Sequence, residues 1–144
     1  MDRDRRRALQ VWIALNRATH AIDTPLRRQV ETHGLTMKEF AVLEVLLHKG
    51  PLPVGEVGDR VLLTSGSMTY VLDKLEDEGL VLRRPDDEDR RIQIVRLTDA
   101  GHTLIEQVFP EHAVLIQTLM DDLSIHEKET LFRLLHRLRD SAAR

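Results

Sequence analysis

No cysteine occurs among the 144 residues. That excludes a disulfide framework, a thiolate metal site and any cysteine-based redox switch. Aromatic residues make up only 3% of the chain, so leucine, valine and isoleucine must fill the core. The few glycines and prolines punctuate the chain singly, with no low-complexity linker and no internal repeat. No apolar run approaches the roughly 18 residues that a membrane-spanning helix needs, and Met1-Asp2-Arg3-Asp4-Arg5-Arg6-Arg7 lacks the apolar stretch of a secretion signal. Hydrophobic residues at 42% and charged residues at 31% describe one globular domain able to bury a core.

The net charge of −3 argues mildly against a polyanionic partner, but its distribution matters more than its sum. Arg83, Arg84, Arg90, Arg91 and Arg96 crowd one short segment, with Asp86-Asp87-Glu88-Asp89 among them. Binding to nucleic acid would then be modest without sequence recognition and would depend on a few placed contacts.

Local signals divide the chain. Residues 4–33 read as helix with Leu9, Trp12, Ile13, Leu15 and Ile22 on an apolar side, and Thr24-Pro25 predicts a bend or restart because proline removes a hydrogen bond. Gly34 suits a left-handed stop. Thr36-Met37-Lys38-Glu39 is a capping box, with Leu35 and Phe40 placed as a hydrophobic staple. The helix it opens ends at Gly50-Pro51. Pro53 starts a short helix to Val61, and Thr64 or Ser65 caps a third that stops at Gly79. Short strands follow over 80–84 and 91–97, joined by a charged turn at 85–90. Thr98 caps a long helix kinked at Pro110, and Ser124-Ile125-His126-Glu127 is a second capping box opening a last helix.

Three short helices followed by a hairpin predict a mainly α fold with a small β wing, a winged helix-turn-helix. On the third helix, Met68, Val71, Leu72 and Leu75 recur at helical spacing and should face the core. The other side then carries Ser65, Ser67, Thr69, Tyr70 and Lys74. Small hydroxyls allow close approach to base edges, and lysine and tyrosine can reach phosphate. The helix N-terminus adds a partial positive charge suited to phosphate. In the hairpin, Asp89 can orient the Arg91 guanidinium for a narrow minor groove, and Arg90 is placed for phosphate. The plainer reading of both segments, solvated polar faces, is set aside because the two occur together in this order.

The residues resemble the MarR family of transcriptional regulators over nearly the whole chain. The likeness rests on Gly34-Leu35-Thr36, Leu63-Thr64-Ser65-Gly66-Ser67-Met68-Thr69, Leu75-Glu76-Asp77-Glu78-Gly79-Leu80-Val81, Asp89-Arg90-Arg91 and Leu97-Thr98-Asp99-Ala100-Gly101. It implies one domain, 1–144, with 36–98 as the DNA-binding lobe and 4–33 and 99–143 as N- and C-terminal dimerisation helices. It further implies a homodimer on double-stranded DNA with a pseudo-palindromic operator, in a bacterial or archaeal cytosol, associated with the nucleoid. The Leu9/Trp12 stripe and the leucine-rich last helix fit a partner chain independently, since a small lobe could not bury them. Tyr70 departs from the family's pattern, where many members carry arginine, so no guanine contact is carried over there.

By the same resemblance a small aromatic or phenolic effector would release a repressor from DNA, and Trp12, Asn16 and His20, one turn apart, are the candidate effector residues. Metal sensing is the alternative for a chain with seven histidines, yet none form a ligand-spaced pair, and His126-Glu127-Lys128-Glu129-Thr130 lacks the second histidine of the zinc-protease motif. His112 beside Glu111 would need ligands from elsewhere. No nucleophile elbow, phosphate loop or cofactor fingerprint is present, so neither an enzyme nor a cofactor or metal site is expected. A winged helix that binds only protein is the remaining rival.

Overall fold

In the computed structural model, which describes residues 1–144, capping side chains set most helix boundaries. The helices are α1 (Arg3–Glu31), α2 (Met37–Lys49), α3 (Val54–Val61), α4 (Ser65–Asp77), α5 (Asp99–Leu119) and α6 (Ile125–Ala142), and the strands β1 (Leu52–Pro53), β2 (Val81–Pro85) and β3 (Gln93–Leu97). Both capping boxes form: Glu39 N donates to Thr36 Oγ1 and Thr36 N to Glu39 Oε1, with the same reciprocity between Ser124 and Glu127. Thr64 and Thr98 cap α4 and α5.

Of the bend or restart expected at Thr24-Pro25, the restart does not occur; α1 runs as one helix through Pro25. Leu26 and Val30, on the far side of the proline, are buried and hold that half of the helix on the core. α5 likewise continues through Pro110. The wing differs from expectation by one strand. β1 pairs with β3 (Leu52 opposite Val95), and β3 pairs with β2 from Val81–Leu97 to Pro85–Gln93, giving an antiparallel sheet ordered β1-β3-β2. The hairpin strands begin one or two residues later than predicted, which moves Arg91 from strand into turn.

One core of fifteen buried residues draws on nearly every element except α6. Phe40, Val42, Leu43 and Leu46 of α2 meet Met68, Val71, Leu72 and Leu75 of α4, Val57 of α3, Val81 and Val95 of the sheet, and Ile105 and Val108 of α5. The lobe is therefore closed by residues on both sides of 36–98. Gly101 permits this closure: a Cβ there would sit 2.0 Å from the Leu80 carbonyl oxygen, on the backbone leading into the wing. Leu80 N–H and carbonyl are both engaged nearby, the carbonyl accepting from Thr98 N at 3.1 Å.

α1 and α5 are joined by a polar cluster at the edge of that core. His112, 6% exposed, has Nδ1 2.9 Å from Gln29 Oε1, Gln29 Nε2 donates to the Val108 carbonyl, and His33 Nε2 lies 2.8 Å from Glu111 Oε2. The His112 ring also stacks against Phe40, centroids 4.3 Å apart. Burial pushes the His112 imidazole down from its ordinary 6.5, because the charged form loses solvation. The folded protein thus favours neutral His112, so its contribution is complete above about pH 6.5 and is lost as pH falls below that value. The thermal midpoint should therefore drop on going from pH 7 to 5.5, with a smaller drop in His112→Gln. Equal drops in the two proteins would assign the pH sensitivity elsewhere.

Candidate nucleic-acid interface

α4 reaches the surface because only one of its sides is apolar. Met68, Val71, Leu72 and Leu75 are at most 4% exposed, and this turns Ser65, Thr69, Tyr70 and Asp73 outward. Tyr70 is 73% exposed. The Thr69 hydroxyl donates back to the Ser65 carbonyl at 3.0 Å, while Ser67 takes part in the Thr64 cap. Gly66 has open space where a side chain would be, and no acidic residue lies in the first turn. The α4 N-terminus is thus an accessible, acid-free end with its partial positive charge uncovered.

Lys74 sits differently from its neighbours. Its ammonium lies 3.1 Å from Glu39 Oε1, and Glu39 is 2% exposed with Oε2 buried and unpartnered. The hydrogen bond to Glu39 raises the Lys74 pKa above its ordinary value, so the cation is retained. A carboxylate that buried is costly without a cation beside it. Sequence periodicity places Lys74 on the outer side of α4 but gives no sign of a partner 35 residues away.

In the wing, Arg91 N donates to Asp89 Oδ1 at 3.1 Å, and Nε and Nη2 grip Oδ1 and Oδ2 at 3.0 Å each. The Asp89 carboxyl is held below its ordinary value by these bonds, while the Arg91 side chain is 90% exposed. A bidentate pair of this kind fixes the guanidinium plane. Asp86 N donates to the Ile92 carbonyl to close the turn, and Arg90 is exposed on it. The geometry presents an oriented, solvent-facing arginine at the hairpin tip and a polar helix face from the same lobe.

A model of the MarR family matches residues 35–93. The HTH-type transcriptional regulator MhqR of Bacillus subtilis (strain 168) is 40% identical over 132 residues, covering 92% of this chain and 91% of that protein. The chain belongs to the MarR family. It is a transcriptional regulator of that family, with the family's winged-helix fold. Among solved structures, Bordetella bronchiseptica BpsR, described for regulation of its DNA binding by 6-hydroxynicotinic acid, superposes with a TM-score of 0.82 at 25% identity, covering 90% of this chain and 93% of that one. NadR in complex with 4-hydroxyphenylacetate gives a TM-score of 0.76 at 25% identity, with coverage of 88% and 89%.

In this MarR-family chain, Trp12, Asn16 and His20 lie along one exposed strip of α1 and do not enclose a pocket within the protomer. Asn16 Nδ2 is spent on the Trp12 carbonyl at 2.8 Å, and Trp12 borders a shallow hollow of about 330 Å³ with Leu15 and Leu138. A larger cleft, about 670 Å³, lies between α1, the start of α2 and α4, with Arg27, Lys38, Glu39, Ser67, Tyr70 and Lys74 on its walls. Sequence reasoning recognised Glu39 only as a cap. No helix is long and apolar enough to cross a membrane.

Because Lys74 is paired with Glu39, Lys74→Ala should lower the urea midpoint, since it strands a buried carboxylate. Glu39→Gln in the same chain should return much of that loss in urea unfolding. The salt dependence of DNA binding should stay unchanged, since a lost phosphate contact would lower its slope by about 0.9. A slope reduced by that amount would put Lys74 on the DNA.

Proposed function

We propose that the chain is a dimeric, sequence-specific DNA-binding repressor released from its operator by a small aromatic or phenolic ligand. The observation that carries the dimer is surface area. The protomer exposes 10377 Å², whereas a compact monomer of 16.6 kDa is expected to expose about 7,600 Å². The difference of roughly 2,800 Å² per protomer, about 5,600 Å² for two copies, is at the upper end of what obligate homodimers bury. It coincides with unpartnered apolar side chains: Leu9, Val11, Trp12 and Ile13 on α1, and Leu131, Phe132, Leu134, Leu135 and Leu138 on α6 are all exposed. No residue of α6 is buried. A second copy pairing α1 and α6 with their equivalents covers both stripes at once.

Such a dimer carries two α4 helices and two wings. Each α4 presents Ser65, Ser67, Thr69 and Tyr70 to a major-groove half-site, with its N-terminus on phosphate. Each wing places Arg91, held by Asp89, in the flanking minor groove and Arg90 on the backbone. Half-sites about 10 bp apart follow from one helical turn of DNA.

The ligand part draws on what BpsR and NadR are described with, 6-hydroxynicotinic acid and 4-hydroxyphenylacetate. The strip of Trp12, Asn16 and His20 becomes a wall only when a partner covers it, so the effector seat there is shared between protomers. A ligand would act by favouring a separation of the two α4 helices that cannot fit both grooves.

The test is binding of purified protein to the DNA just upstream of its own coding region at two salt concentrations, with sedimentation of the same sample. Tight, selective and salt-sensitive binding with two protomers per site is expected. Leu135→Arg should sediment as a monomer and lose tight binding together. Selective binding by a monomer would overturn the dimer, and only weak, unselective binding would favour a winged helix that recognises protein.

A further inference from the structure

The five wing arginines look alike in sequence, yet the structure sorts them. Val81 and Arg83 share one side of β2, and Leu82 and Arg84 the other; Val81 is fully buried and Arg84 exposed. The Arg83 side chain is only 23% exposed and folds back across α4. Its Nη2 donates to Asp73 Oδ1 at 2.5 Å and to Glu76 Oε2 at 2.7 Å, its Nε donates to Glu76 Oε2 at 3.1 Å, and its backbone N–H donates to Glu76 Oε1 at 3.2 Å. Arg91 is paired within its own turn, and Arg84, Arg90 and Arg96 form no ion pair. Arg83 alone bridges the wing to the helix.

We infer that Arg83 is a positioning residue for DNA recognition, a clasp that locks the wing to α4 and covers two carboxylates on the recognition helix. The base of the joint is already pinned, since Thr98 Oγ1 donates to the Gly79 carbonyl at 2.6 Å and Thr98 N to Leu80. Beyond that base β3 is held by Val95 in the core and by the two-residue β1, whereas β2 is the edge of the sheet, and a short hairpin is a weak structure by itself. Arg83 braces that edge strand two residue pairs beyond Val81–Leu97. The groove-to-groove offset between α4 and Arg91 is then fixed before DNA arrives, so less order has to be imposed on binding.

The clasp also changes the charge that α4 shows. Asp73 is 57% exposed, and without a cation it would repel phosphate on a helix meant for the major groove. The Glu76 carboxyl is held below its ordinary value, first by the Arg83 side chain and then by the Arg83 backbone N–H. Lysine cannot reproduce this arrangement, because a point charge does not span two carboxylates as a planar fork does.

This inference rests on the DNA-binding reading, and the variants separate the two. On the upstream DNA, Arg83→Lys should bind about tenfold or more weakly, the scale set by charge-assisted hydrogen bonds, with an unchanged salt slope. Protection of the minor groove should fall more than protection of the major groove, with only a modest drop in the thermal midpoint. Glu76→Gln, which loosens the clasp from the helix side and leaves the strand intact, should reproduce the selective loss of minor-groove protection. An Arg83→Lys protein that binds and protects like the unaltered chain would overturn the clasp alone. Arg83→Ala lowering the slope by about 0.9 would make Arg83 a phosphate contact instead. Failure of the unaltered chain to bind selectively would remove the DNA-binding reading and the clasp's role with it.

Discussion

The burial of one side of α4 is the constraint on which the rest depends. Met68, Val71, Leu72 and Leu75 disappear into a core shared with α2, α3, the sheet and α5. At about 1.5–3 kcal/mol for each large apolar side chain removed from water, this contact is comparable to the net stability of a whole small domain. It leaves no freedom in which residues face out. The polar face of α4 is thus a by-product of core packing, and its chemistry can vary without disturbing the fold.

Packing fixes which way the helix faces, and ion pairs tie it to its neighbours on two flanks. On one flank Lys74 meets the buried Glu39 of α2; on the other Asp73 and Glu76 meet Arg83 of the wing. The first pair is asymmetric, since Glu39 is buried while Lys74 stays partly in water, and one carboxylate oxygen has no partner. Such a pair contributes little net stability yet is costly to break, which suits an element whose orientation must be single-valued. Anything entering the adjacent cleft meets this pair directly.

Much of this was legible in the sequence, for local reasons. Capping boxes at Thr36 and Ser124, the glycine stop at Gly79 and the apolar repeat on α4 are encoded within a few residues, and each appears where those signals put it. The misses involve distant or weak signals. β1 is two residues long, too short for a period to show, and exists only because Leu52 and Pro53 lie against β3. Pro25 suggests a bend or restart locally, and the burial of Leu26 and Val30 against remote segments, which holds the helix beyond it, carries no local signal. The partners of Lys74 could not be read from helical spacing, whereas Arg83 could have been separated from Arg84 by the two-residue period of a strand beginning at the buried Val81. The clustering of five arginines concealed that signal.

The two ends of the molecule are therefore committed to different tasks, one by exposed apolar stripes on α1 and α6 and the other by an oriented cation at the wing tip. What ties them together is a lobe that presents helix and wing as one body. Hydroxyl-radical footprinting on the upstream DNA tests that most directly. Two minor-groove protections should flank a pair of half-sites about 10 bp apart, and Arg91→Ala should erase those flanking protections while the central ones persist. Flanking protection that survives Arg91→Ala, or a single unpaired footprint, would contradict it.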